Sequence, residues 1–211
     1  MIKVYVGIPS RNYASWGMYD SLLMNLATAS KAGIELVIEP HIGDSLICRA
    51  RQEMTWKFLQ TDCTHFMQID DDVQLPDDGI VKLVKANKPI VGGTYRLKYA
   101  SGKVLALRTF EQFDLSKHLN ELIKIRYLST GCFLQQRRVI ATMWKRYENL
   151  KYYANEAKSD ERRALYMPMI HEEGYLSEDW AYCQRAIDVG YDIYLHTGVL
   201  CGHWGLHNYN I

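Results

Sequence analysis

Three adjacent carboxylates end the stretch Thr64-His65-Phe66-Met67-Gln68-Ile69-Asp70-Asp71-Asp72, where they directly follow an apolar segment. The apolar segment predicts a short buried strand, and the Pro-Asp-Asp-Gly sequence at 76–79 predicts a turn after it. The carboxylates should therefore lie at the carboxyl end of a strand, where open α/β sheets bind ligands. Because side chains alternate along an extended chain, Asp70 and Asp72 should share one side and Asp71 should face away.

The carboxylate triplet also indicates a cation site. Adjacent negative charges are costly in a partly dry cleft unless a cation neutralises them. An Asp-x-Asp pair offers hard oxygen ligands, which suit Mg²⁺ or Mn²⁺ held by one or two carboxylates and by substrate phosphates. An acidic, solvated corner between a strand and a turn would have the same short motif, so other parts of the chain must decide.

The composition predicts one soluble, cytoplasmic globular domain. The 211 residues are 48% hydrophobic, which is enough for one sizeable core, and the formal net charge of +1 argues against a nucleic-acid partner. The five cysteines contain no C-x-x-C pair and are expected to be reduced and buried. The N-terminus has a strand pattern rather than a signal peptide, and no apolar run is long enough to span a bilayer.

The first 72 residues alternate between predicted strands and helices. Strands are predicted at 4–8, 34–38 and 66–69, and helices at 15–32 and 45–60. This β-α-β-α-β order predicts a parallel sheet with right-handed crossovers. Asp44 is the predicted N-cap of the second helix. The buried face of the first helix is predicted to contain Met18, Leu22, Leu23, Leu26 and Ala27.

The remaining chain gives weaker patterns. Helices are predicted at 80–86 and 138–149, and strands at 89–92, 104–110, 123–128, 133–135 and 191–195. Residues 92–98 are expected to form a Gly-rich loop, and residues 151–175 a long surface loop that could act as a lid. Ser177 is the predicted N-cap of a further helix that ends at Gly190. Glu178 and Asp179 would then lie in its first turn, where acidic residues also favour the helix dipole.

Five features in this order resemble the GT-A class of nucleotide-sugar-dependent glycosyltransferases. They are Ile8-Pro9-Ser10 after the first strand, Gln68-Ile69-Asp70-Asp71-Asp72 after the third, Ser129-Thr130-Gly131 before a strand, Ser177-Glu178-Asp179 at the start of a helix, and Gly202-His203-Trp204 near the end. With Asp44 and Arg49-Ala50-Arg51 added, the chain is most similar to glycosyltransferase domains of large algal viruses.

The resemblance implies an α/β GT-A fold with a central mixed, mostly parallel sheet flanked by helices. A Rossmann-like nucleotide-binding half would occupy residues 1–98, and an acceptor-side, catalytic half would occupy residues 99–211. It also implies transfer of a sugar, with inversion, from a nucleoside diphosphate, expected to be UDP, to a hydroxyl group of a glycan or glycoprotein. By the same resemblance the acceptor could be a viral capsid glycan, the compartment the host cytoplasm, and the chain one domain of a longer protein.

The resemblance implies a role for each matching residue. Asp179 is placed like the catalytic base, with Glu178 orienting it or the acceptor. Asp72 and His203 would bind Mn²⁺ or Mg²⁺, although the run of three aspartates leaves Asp71 open as the main ligand. The residues implied to contact the donor nucleotide sugar are Pro9, Ser10, Arg11, Asp44, Arg51, Asp70, Asp71, Tyr95, Lys98, Thr130 and Gly131.

Three other classes of protein remain open. A sugar-phosphate nucleotidyltransferase would usually have a Gly-rich loop after the first strand, but this chain has no glycine there before Gly17. A phosphatase that forms an aspartyl phosphate would usually have its nucleophile on the first strand. An inactive nucleotide- or sugar-binding module of the same fold would have no need of Glu178, Asp179 and His203.

Overall fold

The computed structural model describes residues 1–95, 98, 117–172 and 174–205, and the backbone of residues 208–209. The strand predicted at 104–110, and residues 96–97 of the predicted Gly-rich loop, lie outside these residues.

The first half of the predicted order is confirmed. The chain begins with β1 (Ile2–Ser10), α1 (Trp16–Lys31), β2 (Ile34–Ile42), α2 (Ile47–Leu59) and β3 (His65–Ile69). β1 pairs in parallel with both β2 and β3, as the alternation of strands and helices required. β2 continues through Pro40, where the sequence predicted an end. Asp44 is not the N-cap of α2, because Leu46 holds that position. The Oδ1 atom of Asp44 accepts a hydrogen bond from Leu46 N at 2.9 Å.

The remaining helices and strands complete the fold. They are β4 (Val73–Gln74), α3 (Gly79–Lys85), β5 (Ile90–Tyr95), β6 (Leu122–Ile125), β7 (Cys132–Gln136), α4 (Arg137–Arg146), β8 (Lys151–Tyr153), β9 (Glu161–Arg163), β10 (Met169–His171), β11 (Gly174–Leu176), α5 (Glu178–Asp188), β12 (Ile193–Trp204) and β13 (Asn208–Tyr209). Ser177 holds the N-cap position of α5, and Gly190 follows the helix with a φ of 88°.

The main sheet has the strand order β13-β12-β5-β7-β3-β1-β2, with β4 and β6 also paired to β12. β2, β1, β3, β5 and β12 run in one direction, whereas β7 and β13 run against them. The predicted α/β architecture, a mixed and mostly parallel sheet flanked by helices, is therefore confirmed. The carboxyl ends of β1 and β3 reach the same edge of this sheet.

Both faces of the sheet are buried. On β1, Val4 and Val6 pack on the side that includes Met18 of α1 and Ile80 of α3, while Tyr5 points to the opposite side and packs with Phe58 of α2. A third cluster includes Phe133 and packs on the side of α4 and α5. Burial on both faces explains why the central strands have continuous apolar runs.

The buried face of α1 differs from the prediction. Met18 and Leu22 are buried, but Leu23, Leu26 and Ala27 are exposed. Their expected places are taken by Ser21 and Asn25, whose side chains bind backbone groups after the carboxylate triplet. Leu75 N donates to Ser21 Oγ at 3.1 Å, Ile80 N donates to Asn25 Oδ1 at 2.9 Å, and Asn25 Nδ2 donates to Pro76 O at 2.8 Å. Polar residues are buried here because they satisfy the turn that follows the triplet.

The prediction of a long surface loop at residues 151–175 is wrong. β8 pairs with β9 and β10 pairs with β11, so this segment forms two short hairpins. Leu165 and Tyr166, between the hairpins, are fully buried, and Arg162 and Arg163 are buried beside them. Strands of only three residues are too short to give an apolar periodicity, which is why the sequence pattern did not indicate them.

The prediction that a Gly-rich loop begins at Gly92 is also wrong, because Gly92 and Gly93 lie inside β5. A Cβ at Gly92 would lie 2.1 Å from the carbonyl oxygen of Cys132, and one at Gly93 would lie 2.6 Å from that of Val199. These glycines allow close backbone packing in the sheet rather than loop flexibility. None of the helices among the described residues is both long and apolar enough to cross a membrane.

Candidate active site

A cavity of about 300 Å³ opens at the carboxyl ends of β1 and β3. This is the sheet edge at which the sequence predicted a ligand site. The cavity brings together residues from four places in the chain, and Ser45 and Ile47 are lining residues that the sequence did not indicate. The lining consists of Pro9, Ser10, Arg11, Asp44, Ser45, Ile47, Arg51, Asp70, Asp71, Asp72 and Glu178.

The prediction that Asp71 faces away from Asp70 and Asp72 is wrong. The chain turns directly after β3, and Val73 N donates to Asp70 O at 3.0 Å to close that turn. The alternation rule applies only to extended backbone, so it fails at this point. Ser15 N donates to Asp71 O at 2.6 Å and Trp204 N donates to Asp72 O at 2.8 Å. These contacts fix the backbone of the turn, and all three carboxylates line the cavity.

Asp70 is held by a buried arginine. Arg51 is 2% exposed, and its Nη2 donates to Asp70 Oδ1 at 2.7 Å. Its Nη1 donates to Gln68 Oε1 at 3.4 Å, and Gln68 Nε2 in turn donates to the hydroxyl of Tyr166 at 2.7 Å. Arg51 therefore lies where it can fix Asp70, and it also lines the cavity. Its predicted contact with a nucleotide stays a prediction. Gln68 and Tyr166 were not predicted to support the site.

The pKa of Asp71 is raised, whereas that of Asp72 is lowered. Its burial raises the pKa of the carboxyl group, and the neighbouring Asp72 and Asp70 raise it further. Repulsion between the three carboxylates therefore raises the pKa of Asp71, because Asp70 is paired with Arg51 and Asp72 with Lys98 and His203.

Asp72 lies between two basic groups. Lys98 Nζ donates to Asp72 Oδ2, and His203 Nε2 lies 3.6 Å from Asp72 Oδ1. Burial opposes ionisation of Asp72, but the interactions with His203 and Lys98 outweigh it and lower the pKa of the carboxyl group. The structure thus brings the two predicted metal ligands together, and it adds Lys98 to the same carboxylate. No group of three or more His, Cys, Asp or Glu side chains suited to a metal occurs among the described residues.

Asp44 forms a second fixed carboxylate on the cavity wall. Arg49 donates to both of its oxygens at 2.8 Å, and this pairing lowers the pKa of Asp44. Bidentate arginine pairs of this kind hold a carboxylate in one orientation. Arg49 was part of the resemblance but was not predicted as a site residue. Its position five residues after Asp44, across the start of α2, is the signal that could have indicated it.

Gly131, Thr130 and Tyr95 lie beside the cavity rather than on its described lining. A Cβ on Gly131 would lie 2.6 Å from the Tyr95 hydroxyl and 2.8 Å from Asp70 Oδ2, so a side chain there would disturb both groups. Asp70 N donates to Gly131 O at 3.1 Å. Tyr95 and Thr130 are buried, and the Tyr95 ring packs edge-on against His203, with centroids 4.9 Å apart.

The first turn of α5 supplies two more carboxylates. Glu178 lines the cavity, and its burial, together with the negative charge of Asp179, raises the pKa of its carboxyl group. Asp179 is outside the described lining. Its Oδ1 accepts hydrogen bonds from the Ser177 hydroxyl and, at 2.8 Å, from Trp180 N. The Ser177 side chain therefore orients Asp179 instead of capping the helix backbone.

The end of β12 packs against α1 next to the acidic triplet. The indole of Trp204 covers Gly17, where a Cβ would come within 2.0 Å of the ring, and its Nε1 donates to Gln74 Oε1 at 2.8 Å. Gly17 is thus a contact point between α1 and β12, not part of a loop that binds phosphate.

The chain matches no protein-family model and no curated protein. Among solved structures, it is similar to A197 from STIV, with 15% identity, a TM-score of 0.57, and coverage of 97% of this chain and 86% of that one. It is also similar to S. aureus TarS 1-349 in complex with UDP-GlcNAc, with 11% identity, a TM-score of 0.49, and coverage of 93% and 56%.

A third solved structure is a glycosyltransferase involved in the glycosylation of the major capsid of PBCV-1. The identity is 12%, the TM-score 0.37, and the coverage 92% of this chain and 94% of that one. At these identities a likeness concerns the fold alone, and A197 has the highest TM-score of the three. What the site does must therefore be argued from the residues of this chain.

Proposed function

We propose that this chain is a glycosyltransferase that moves a sugar from a nucleoside diphosphate, expected to be UDP, to a hydroxyl group of a glycan or glycoprotein. The main support is the meeting of Asp70, Asp71, Asp72 and Glu178 in one cavity at the carboxyl edge of the sheet. In α/β folds such an edge is a common ligand site. Carboxylates there can bind a cation or accept a proton, and a metal-assisted sugar transfer would use both.

The donor would lie along the wall formed by the end of β1 and the start of α2. Pro9, Ser10 and Arg11 line this wall and are proposed to contact the base and ribose. Asp44, held ionised by Arg49, is suited to accept hydrogen bonds from ribose or base groups. Asp70, fixed by Arg51, would lie next to the ribose, and Thr130 and Gly131 would lie next to the donor sugar.

The proposed function includes a divalent cation, Mn²⁺ or Mg²⁺, for which Asp72 and His203 are the protein ligands. The two donor atoms are 3.6 Å apart. A cation with ligands about 2.0–2.1 Å away can contact two atoms that are no more than about 4 Å apart, so one Mn²⁺ or Mg²⁺ would fit this pair. Two protein ligands suffice where substrate phosphates and water complete the shell. When bound, the cation supplies positive charge beside the departing diphosphate.

Asp179 is the proposed catalytic base. Ser177 and Trp180 N both bind Oδ1, so we assign the proton of the acceptor hydroxyl to Oδ2. Glu178, which lines the cavity, would orient the acceptor. Attack from the face opposite the leaving group would invert the anomeric centre.

A thermal-shift screen tests the substrate class. Nucleoside diphosphates and nucleotide sugars are each added with and without Mn²⁺, and the proposal predicts that UDP and one UDP-sugar raise the melting temperature most, in a way that depends on the cation. A rise with UDP implies preferential binding to the folded chain. No response to any nucleotide would contradict the proposed function.

Replacement of the proposed base tests the chemistry. Asp179→Asn should lower transfer by about 10²–10⁴-fold, because general base catalysis contributes this much, while the dissociation constant for donor stays unchanged. Asp188→Asn, at the exposed other end of α5, is the matched control and should leave transfer unaffected. Unchanged turnover in Asp179→Asn would exclude the assignment.

The alternatives predict different products. A nucleotidyltransferase would release pyrophosphate from a nucleoside triphosphate and a sugar phosphate. Its expected Gly-rich loop is missing after β1, where Gly17 instead packs under Trp204. An inactive binding module would bind UDP-sugar without slow donor hydrolysis, so a hydrolysis assay separates it from a transferase.

A further inference from the structure

Lys98 and Asp72 form an ion pair at the edge of the proposed cation site. Lys98 Nζ contacts Asp72 Oδ2, while His203 approaches the other oxygen, Oδ1. The two side chains of the pair are 33% and 34% exposed, so solvent and small ions can reach both of them. The carboxylate proposed to bind a divalent cation therefore already has a positively charged partner within the chain.

An ammonium group and a divalent cation compete for this carboxylate. Both are positively charged, and two cations that share one small carboxylate repel each other. A metal ion must therefore displace Lys98 from Asp72 Oδ2 or bind beside it at a cost. In the absence of nucleotide, Lys98 Nζ contacts Asp72, while Asp70 is paired with Arg51 and Asp44 with Arg49. The charge of Lys98 also acts on the neighbouring Asp71.

A nucleoside diphosphate changes this balance. It brings phosphate oxygens, which lysine binds well as a compact charge on a flexible four-carbon chain. If Lys98 turns to the diphosphate, Asp72 Oδ2 becomes available to the cation. The negative charge of the diphosphate then has two positive partners, and Asp72 keeps one.

We propose that Lys98 is the built-in counter-cation of Asp72 and that it couples nucleotide binding to divalent-cation binding by moving from the carboxylate to the diphosphate. This inference rests on the proposed function for the identity of the nucleotide. Linkage requires the coupling to be reciprocal: nucleotide strengthens cation binding by the same factor by which the cation strengthens nucleotide binding.

The experiment measures free Mn²⁺ by electron paramagnetic resonance during titration of the protein, first without nucleotide and then with saturating UDP. Lys98→Met removes the charge but keeps the length of the side chain. Without nucleotide it should bind Mn²⁺ about tenfold more tightly than the wild type, and UDP should strengthen Mn²⁺ binding less in the variant than in the wild type.

Two further variants serve as controls. Lys98→Arg keeps a positive charge and should retain the weak Mn²⁺ binding of the wild type, which separates charge from loss of structure. Lys57→Met removes the similarly exposed lysine of the Lys57–Glu39 pair, which is outside the cavity lining, and should leave Mn²⁺ binding unchanged.

Three outcomes would overturn the inference. Equal Mn²⁺ affinity of the wild type and Lys98→Met without nucleotide would show that Lys98 does not compete with the cation. Absence of Mn²⁺ binding in both would show that Asp72 holds no cation. Wild-type binding of UDP without any effect on Mn²⁺ affinity would exclude the coupling while leaving the nucleotide assignment intact. By contrast, failure of every nucleotide to bind any variant would contradict the proposed function itself.

Discussion

The carboxylates in the cavity differ in whether a positively charged side chain stabilises their negative charge. Asp70 and Asp72 each have a cationic partner, whereas Asp71 and Glu178 have carboxyl groups whose pKa is raised mainly by burial. The types of these residues could be predicted from the sequence. Their partners could not, because Lys98 and Asp72 are 26 positions apart and the contact depends on how β5 and the turn after β3 meet.

Glu178→Gln tests this view at neutral pH. Because the folded pKa of Glu178 is raised, its ionisation penalises the folded state only above the unfolded pKa of about 4.3. The penalty grows as pH rises from there to the folded pKa and stays constant above it. Replacement by neutral glutamine should therefore raise the melting temperature at pH 7 by about 2–4 °C, with no gain near pH 4.

Melting curves of the Glu178 variant across that pH range provide the measurement. Glu156→Gln, an exposed residue between β8 and β9, is the control and should not change the melting temperature at either pH. A melting temperature at pH 7 that falls in Glu178→Gln would mean that the ionised carboxylate stabilises the fold, against the direction argued here.

At the scale of elements, the hairpin of β8 and β9 is fixed to α2 by one arginine. Arg162 Nε donates to both carboxylate oxygens of Glu53 at 3.0 and 3.1 Å, and its guanidinium lies 3.5 Å from the centroid of the Trp56 ring. The hairpin leads to Tyr166, which accepts the hydrogen bond from Gln68 that supports Arg51. An element outside the cavity is thus connected to the acidic triplet.

Loss of the Arg162 side chain should destabilise the fold. Arg162→Ala leaves Glu53 without its charged partner and removes the stacking on Trp56, so the free energy of unfolding should fall by about 2–3 kcal/mol. Arg162→Lys keeps the charge but not the planar stack on Trp56, so its free energy of unfolding should lie between those of the wild type and Arg162→Ala. Urea denaturation measures the free energy of unfolding of both variants. Arg146→Ala, at the exposed end of α4, is the control and should change this free energy by less than about 0.5 kcal/mol.

Elements with strong periodicity could be predicted from the sequence, and short ones could not. β1, α1, β2, α2 and β3 follow long apolar patterns, so their order and type were predicted correctly. The buried face of α1 was misplaced because Ser21 and Asn25 are buried for their hydrogen bonds, which a hydrophobic pattern does not reveal. The hairpins between 151 and 176 depend on pairing and on tertiary contacts such as Arg162 with Glu53.

At the scale of the whole molecule, strands from both ends of the chain join one sheet, with β7 inserted between two strands of the first half. β7 lies between β3 and β5 and pairs antiparallel with both, although it follows them by many residues in sequence. β12 pairs with β5 and β4, and it brings His203 next to Asp72. The cavity therefore exists only when the main sheet is complete.

This arrangement predicts one cooperative unfolding transition. Far-UV and near-UV circular dichroism should give coincident curves in urea, because secondary and tertiary structure depend on the same sheet. A fragment of residues 1–98 lacks β7, so the facing edges of β3 and β5 would be unpaired, and it should be unfolded by circular dichroism. Two separate transitions, or a folded fragment, would contradict this prediction.

The indole of Trp204 gives the site an intrinsic optical signal. Its backbone N–H binds the carbonyl of Asp72, its side chain packs on Gly17, and the preceding residue is His203. Under the proposed function, the electric field at the ring would change when a metal ion replaces Lys98 on Asp72. Tryptophan emission depends on such local fields. Because the chain has five tryptophans, a variant that keeps only Trp204 would let fluorescence follow the proposed binding of a metal ion or a nucleotide without a label.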